Sequence, residues 1–312
     1  MKLGTASDLA RLQTLQRQAF TTRGKLDVAA TELTSGQKAS RFEATGGNLT
    51  RLFALERALD RNQVFADTIA LTEMRLDIAQ EALGRMLGPV EALSVDLATA
   101  VGIGDLSAGR IHAATARRAF ADAVTALNTR VAGQSLFAGA ATDRPAVAAP
   151  ATILADLDAL AAGAATAPDA VAAIEAYFAP GGGFEATGYL GSTTDLSAVE
   201  LGDGARLDYA LRADRTELVE TLRAHALAAV VAGGAFAGDP AAQREMLAAA
   251  GSRMLDAREG LLRLRGEVGV SQNTVERARA ERASERETLD LARSRMVATD
   301  PLAAASTYQT LQ

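Results

Sequence analysis

The chain is 312 residues long, has no Cys and no Trp, is 4% aromatic and carries a net charge of −6. Much of its apolar fraction is Ala, which suits close helix-on-helix packing better than a core of rings that each bury roughly 150–250 Å². Acids and arginines alternate along it, so there is no basic stripe that would mark a nucleic-acid partner. Arg outnumbers Lys 29 to 3, which we read as coding bias without functional meaning.

The N-terminal residues Met1 to Asp8 have neither an apolar core nor a cleavage site, so no cleavable secretory signal is expected. The first helical tract is predicted from about Thr5 to Glu32. Leu12, Ala19, Leu26 and Leu33 recur every seven residues, with Leu9, Leu15 and Ala30 beside them. Soft joints follow at Ser35-Gly36 and Gly46-Gly47, then Asn48, a fair N-cap. From Leu49 the repeat resumes through Leu55, Asn62, Ile69, Leu76, Leu83, Val90 and Leu97. Gly88-Pro89 predicts a kink or break, because Pro removes a donor and clashes with the preceding turn. A third helix is expected from about Ala108 to Ala132.

The middle differs. Short Ala-rich helices are expected near Ile153–Leu160 and Asp169–Phe178, followed by Pro180 and three glycines. Phe184–Leu190, Ala198–Leu201 and Arg206–Leu211 read as strands, with a hairpin turn at Gly202-Asp203-Gly204. Ala224 to Gly238 is the most apolar stretch, yet too short for a bilayer, which needs about 20 residues. No membrane is expected as a partner.

The C-terminal tract opens on Asp239-Pro240, an acid at the N-cap and Pro at the first helical position. Leu247, Met254, Leu261, Val268, Val275, Arg282, Leu289 and Met296 then recur every seven residues. Such a repeat presents a seam to a partner helix. Gly260, Gly266 and Gly269 predict a local bend, and Arg282 is a charged position on the seam itself. The expected fold class is mainly α: a long antiparallel coiled-coil-like helical rod formed by both chain ends, with a small α+β insertion in the middle. Its parts are residues 1–40 and 280–312 as an inner layer, 41–140 and 206–279 as the rod with a hairpin, and 141–205 as the insertion.

Little in the chain points to catalysis. His112 and His225 have no metal-ligand spacing, Asp156 and Asp158 have no partner base, and no serine sits in a G-x-S-x-G elbow. Gly181-Gly182-Gly183 leads to Phe184 and to no phosphate-binding helix. The expectation is a non-enzymatic structural subunit with no cofactor and no metal.

The order of these segments resembles the flagellin-like family. Leu33-Thr34-Ser35-Gly36-Gln37-Lys38-Ala39 after the first tract resembles its leader helix and L-x-S-G segment, and Leu97-Ala98-Thr99-Ala100 its second helix pair. Leu136-Phe137-Ala138-Gly139, Tyr189-Leu190-Gly191-Ser192 and Val268-Gly269-Val270-Ser271-Gln272-Asn273 are similar to elements of its hook–filament junction branch, the hook-associated protein 3 family. Thr299-Asp300-Pro301-Leu302-Ala303 is similar to the branch's C-terminal segment. Two departures stand out. Phe42-Glu43-Ala44-Thr45-Gly46 replaces a loop that usually carries consecutive Asp residues, and the last residues, Tyr308 to Gln312, stop where the family's terminal helix commonly continues.

The resemblance implies a three-layer subunit exported unfolded through the flagellar type III apparatus. It implies a ring at the hook–filament junction, adapting the hook to the filament. The implied partners are copies of itself, the neighbouring hook-associated protein, flagellin and an export chaperone. A filament-forming flagellin and a cytoplasmic coiled-coil scaffold or signalling protein are the alternatives.

Overall fold

The computed structural model describes residues 4–209 and 211–312. Helix makes up 74% of it, and the strands form small two-stranded pairs, so the class is mainly α. The chain divides into two compact units. One takes residues up to Ala66 together with Arg279–Gln312, the other Asp67–Ala278.

Helix α1 spans Gly4–Ser35. It stops at Gly36, whose φ of +66° is the left-handed conformation that favours glycine, and whose N–H bonds back to Glu32 at 2.9 Å. A single turn, α2 (Arg41–Ala44), follows, N-capped by Ser40. Asn48 then accepts the Thr50 N–H at 3.0 Å, and α3 runs unbroken from Thr50 to Gly102.

Of the kink or break expected at Pro89, the break is absent: Pro89 lies inside α3. A mid-helix Pro costs about 3 kcal/mol, but Leu83, Met86, Leu87, Val90 and Leu93 on either side are buried. Burying each such side chain is worth about 1.5–3 kcal/mol, so the flanks outweigh the missing bond. Later in the chain Gly260, Gly266 and Gly269 lie inside α8 (Pro240–Val297), one helix of 58 residues.

In the Asp67–Ala278 unit, α4 (Leu106–Leu127) is capped by Asp105 and leads into a hairpin of β1 (Arg130–Val131) and β2 (Gln134–Ser135). The third helix therefore ends earlier than the sequence suggested. Ala132 and Gly133 both take positive φ, 50° and 80°, and fold the chain into the tight turn. Helices α5 (Pro150–Gly163) and α6 (Ala167–Phe178) follow, the latter with a Thr166/Asp169 capping box. Phe184–Gly188 is a π-helical turn rather than the expected strand. Glu185 accepts the Gly181 N–H at 2.5 Å, and the Tyr189 N–H closes on the Phe184 carbonyl at 2.6 Å. Strands β3 (Val199–Gly202) and β4 (Ala205–Leu207) form the anticipated hairpin with an irregularity between Glu200 and Gly202.

Helix α7 (Thr216–Ala232) is the centre of this unit. It is buried almost continuously from Leu218 to Val231 and packs on α4, α5 and α6. Its first turns keep Glu217, Glu220 and Arg223 at the edge, whereas Ala224–Val231 is buried without interruption, as a segment apolar all round should be, which accounts for the apolar run noted near Ala224. Close packing depends on small residues: a Cβ at Gly109 of α4 would lie 2.8 Å from Leu247 of α8. The chain closes with α9, Pro301–Leu311, N-capped by Asp300.

Candidate assembly interface

Within the Asp67–Ala278 unit, α3 and α8 are antiparallel. Gln272 donates to Asp77 at 2.7 Å, Gln80 to the Arg265 carbonyl at 2.9 Å, and Arg258 to Glu91 at 3.1 Å. Between the first and the last of these pairs α3 advances by 14 residues while α8 retreats by 14, so the register does not slip. Ile69, Leu76, Leu83, Leu247, Met254, Leu261, Val268 and Val275 are all buried here. The companions Ala250, Ala257, Leu264 and Ala278 are buried as well, completing the seven-residue pattern on α8.

In the other unit the same two helices carry polar interruptions, and these meet. The buried Asn62 side chain donates to the Arg282 carbonyl and to Glu285, both at 3.1 Å. Arg282 in turn pairs with Glu285 at 2.5 Å. Each residue looked like a defect in its own repeat, whereas together they form one polar layer. A buried Asn at a seam position favours one register over its shifted alternatives. Leu55, Leu289 and Met296 are half-buried around this stretch.

The two chain ends of that unit are tied to each other. Lys38 donates its N–H to the Val297 carbonyl at 2.8 Å, and Thr299 donates to the Gly36 carbonyl at 3.0 Å. Glu32, mostly buried, accepts the Ala39 N–H at 3.0 Å and faces the Lys38 ammonium at 3.4 Å. From this joint α9 packs along α1, and Ala29 and Ala304 are buried. Between the two helices lies a groove of about 610 Å³, bordered by Val28, Glu32, Ala304 and Leu311.

The sequence-predicted stripe of α1 is therefore only partly covered. Leu26 is half-buried, but Leu33 is 41% exposed, Leu12 57% and Leu15 60%, and Ala19 is exposed too. Leu9 lies where no side chain is described. An eleven-residue α9 reaches about 16 Å, back to about Gly24 of α1. The stripe is open beyond that reach and, at Leu33, within it as well.

Two of the motifs that carried the resemblance converge in the other unit. Ser192 donates its N–H to the Ala138 carbonyl at 2.9 Å, and Ala140 donates to the Thr194 carbonyl at 3.0 Å. Gly139, at φ +58°, sits where a Cβ would come within 2.6 Å of the Ser192 and Thr194 carbonyls. Phe137 and Ala138 are fully buried, and the Tyr189 hydroxyl donates to the Ser192 carbonyl at 2.7 Å. Burial pushes the Tyr189 phenol well above its usual range. No pairwise signal in the sequence connected these segments, which are about 50 residues apart.

The polar residues weighed for chemistry in the sequence lie in structural surroundings. Arg117 forms a two-pronged bridge to Asp158 at 2.9 and 2.6 Å and also donates to the Ala229 carbonyl, fixing α4 to α5 and α7. Tyr177 faces Asp156 at 3.5 Å. His112 lies 3.6 Å from Asp96. His225 is completely buried with Nδ1 2.8 Å from the Thr221 carbonyl, and desolvation lowers its pKa. Among the described residues no group of three His, Asp or Glu comes together as a metal site would, and no helix is long and apolar enough to cross a membrane. The chain matches no family model, no curated protein and no solved structure.

Proposed function

We propose that this chain is a structural subunit of the bacterial flagellum that forms a ring at the hook–filament junction and adapts the hook to the filament. In this reading the paired α3 and α8 are the coiled-coil rod, and α1 with α9 is the inner layer. The observation that carries it is the uneven use of one repeat. The same seven-residue pattern is filled at Leu247–Val275 and left open at Leu12, Leu15 and Ala19. A lone helix is marginal in water unless its apolar face is covered, so an open stripe on a long terminal helix suits a subunit completed by its neighbours. The tie between the two chain ends at Gly36–Thr299 and the meeting of the Gly139 and Ser192 motifs further support the family resemblance. Subunits of this kind are secreted without a cleavable signal, act outside the cell and turn over no substrate.

Deletion in a motile host tests the proposal. Cells lacking the chain are expected to build hooks but to shed flagellin unpolymerised. Normal filaments on the deletion strain would refute it.

A further inference from the structure

The two units differ in charge as well as in burial. The unit that includes α1 has 15 Lys and Arg against 11 Asp and Glu, while the Asp67–Ala278 unit has 17 against 27. The contrast is sharpest on two helices. From Ala10 to Leu26, α1 carries Arg11, Arg17, Arg23 and Lys25 and no acid. At 100° per residue, Arg11 and Arg23 fall on either side of the Leu12, Leu15 and Ala19 stripe. From Asp67 to Glu81, α3 carries four acids against the buried Arg75. Its side turned away from the seam presents Asp67, Leu71, Met74 and Glu81, with Ile78 between them partly buried against the core; Glu81 faces Arg85 at 3.9 Å, an exposed pair that an incoming arginine can share. Leu71 is 41% and Met74 46% exposed.

We propose that the overhanging part of α1 docks on this outward face of α3 in a second copy of the chain. This rests on the reading above that the protein assembles with itself. The α1 stripe is open along its length, since even Leu33, beside α9, is 41% exposed, and its seven-residue spacing suits a partner helix. Two overhangs paired with each other would set Arg11 and Arg23 against their like, whereas the α3 face offers acids beside large apolar side chains. Basic residues flanking one stripe then meet Asp67 and Glu81 flanking the other, with Leu12 and Leu15 against Leu71 and Met74. The interface is heterologous, so each copy can receive one neighbour and engage another, as a ring or a filament requires.

The absence of cysteine makes the test clean. Full-length L15C and M74C variants are mixed at about 0.1 M salt under a mild oxidant, with L15C plus L262C as the control, since Leu262 is an exposed apolar position on α8. Disulfide-linked heterodimer is expected several-fold above the control. It should fall several-fold at about 1 M salt, where the screening length shrinks from about 10 to 3 Å. R11E/R23E in the L15C chain should abolish the link, and D67R/E81R in the M74C chain should restore it. L15C homodimers in excess, or equal yields with L262C, would overturn the proposal. If sedimentation shows that the wild-type chain self-associates but no L15C–M74C link forms, the docking fails alone. If the wild-type chain never self-associates, the assembly reading fails with it.

Discussion

Residues 247–275 of α8 and residues 12–33 of α1 are written in the same grammar, an apolar residue every seventh position, yet they end in opposite environments. On α8 every such position is buried, because α3 and α7 supply apolar surface along its length in the Asp67–Ala278 unit. On α1, α9 packs along about one third of the helix, and Leu33 within that third is still 41% exposed. A heptad repeat therefore encodes the capacity for a seam, and the neighbours decide whether the seam is filled. On the function proposed above, the filled half builds the subunit and the open half is left for assembly.

The contrast can be broken first at its strongest point. Leu261→Ala, at a fully buried seam position, is expected to cost about 2–5 kcal/mol in urea unfolding. A cost under about 1 kcal/mol would show that the α8 seam is not what holds the unit. Gly139→Ala should cost about 2 kcal/mol or more, because a left-handed Ala is strained and two carbonyls crowd its Cβ. An unchanged midpoint there would mean that the Gly139–Ser192 junction is slack.

The buried half should also report pH. His225 is neutral in the fold with a lowered pKa, while the unfolded chain protonates near pH 6.5. Above that value the ring is uncharged in both states and stability is complete. As pH falls below it, the unfolded chain gains a proton that the buried ring refuses, so stability declines until the lowered folded pKa is reached. Melting midpoints measured between pH 7.5 and 5 should drop, and His225→Phe should flatten that part of the slope. The smallest effect is expected on the open half: Leu12→Ala should change monomer stability by less than about 0.5 kcal/mol. A large loss would mean that Leu12 is buried in the free subunit.

What could be read in the sequence divides along the same line. The seams at Ile69–Leu83 and Leu247–Val275 were legible, since a long repeat averages out local noise. Asn62 and Arg282 were visible only as faults, because their pairing joins positions 220 residues apart. Pro89 misled for the reverse reason: local propensity marked a break that buried flanks override. The hairpin at Ala132-Gly133 was hidden because Ala seldom takes positive φ, and Phe184–Leu190 looked like a strand because its apolar residues had no helical period. The stripe on α1 was legible as a pattern, and its narrowness suited a helix left open within one subunit, but its spacing did not show that Leu33, beside α9, would be open too.

Hydrogen exchange on the purified monomer tests the central claim most directly. Amides of α3 and α8 within the Asp67–Ala278 unit should exchange only through global unfolding, while those of α1 from Ala10 to about Arg23 should open with little free energy. On assembly, the α1 amides should become protected. Strong protection throughout residues 10–33 in the monomer would contradict the account, because it would show that the end of the chain folds without a neighbour.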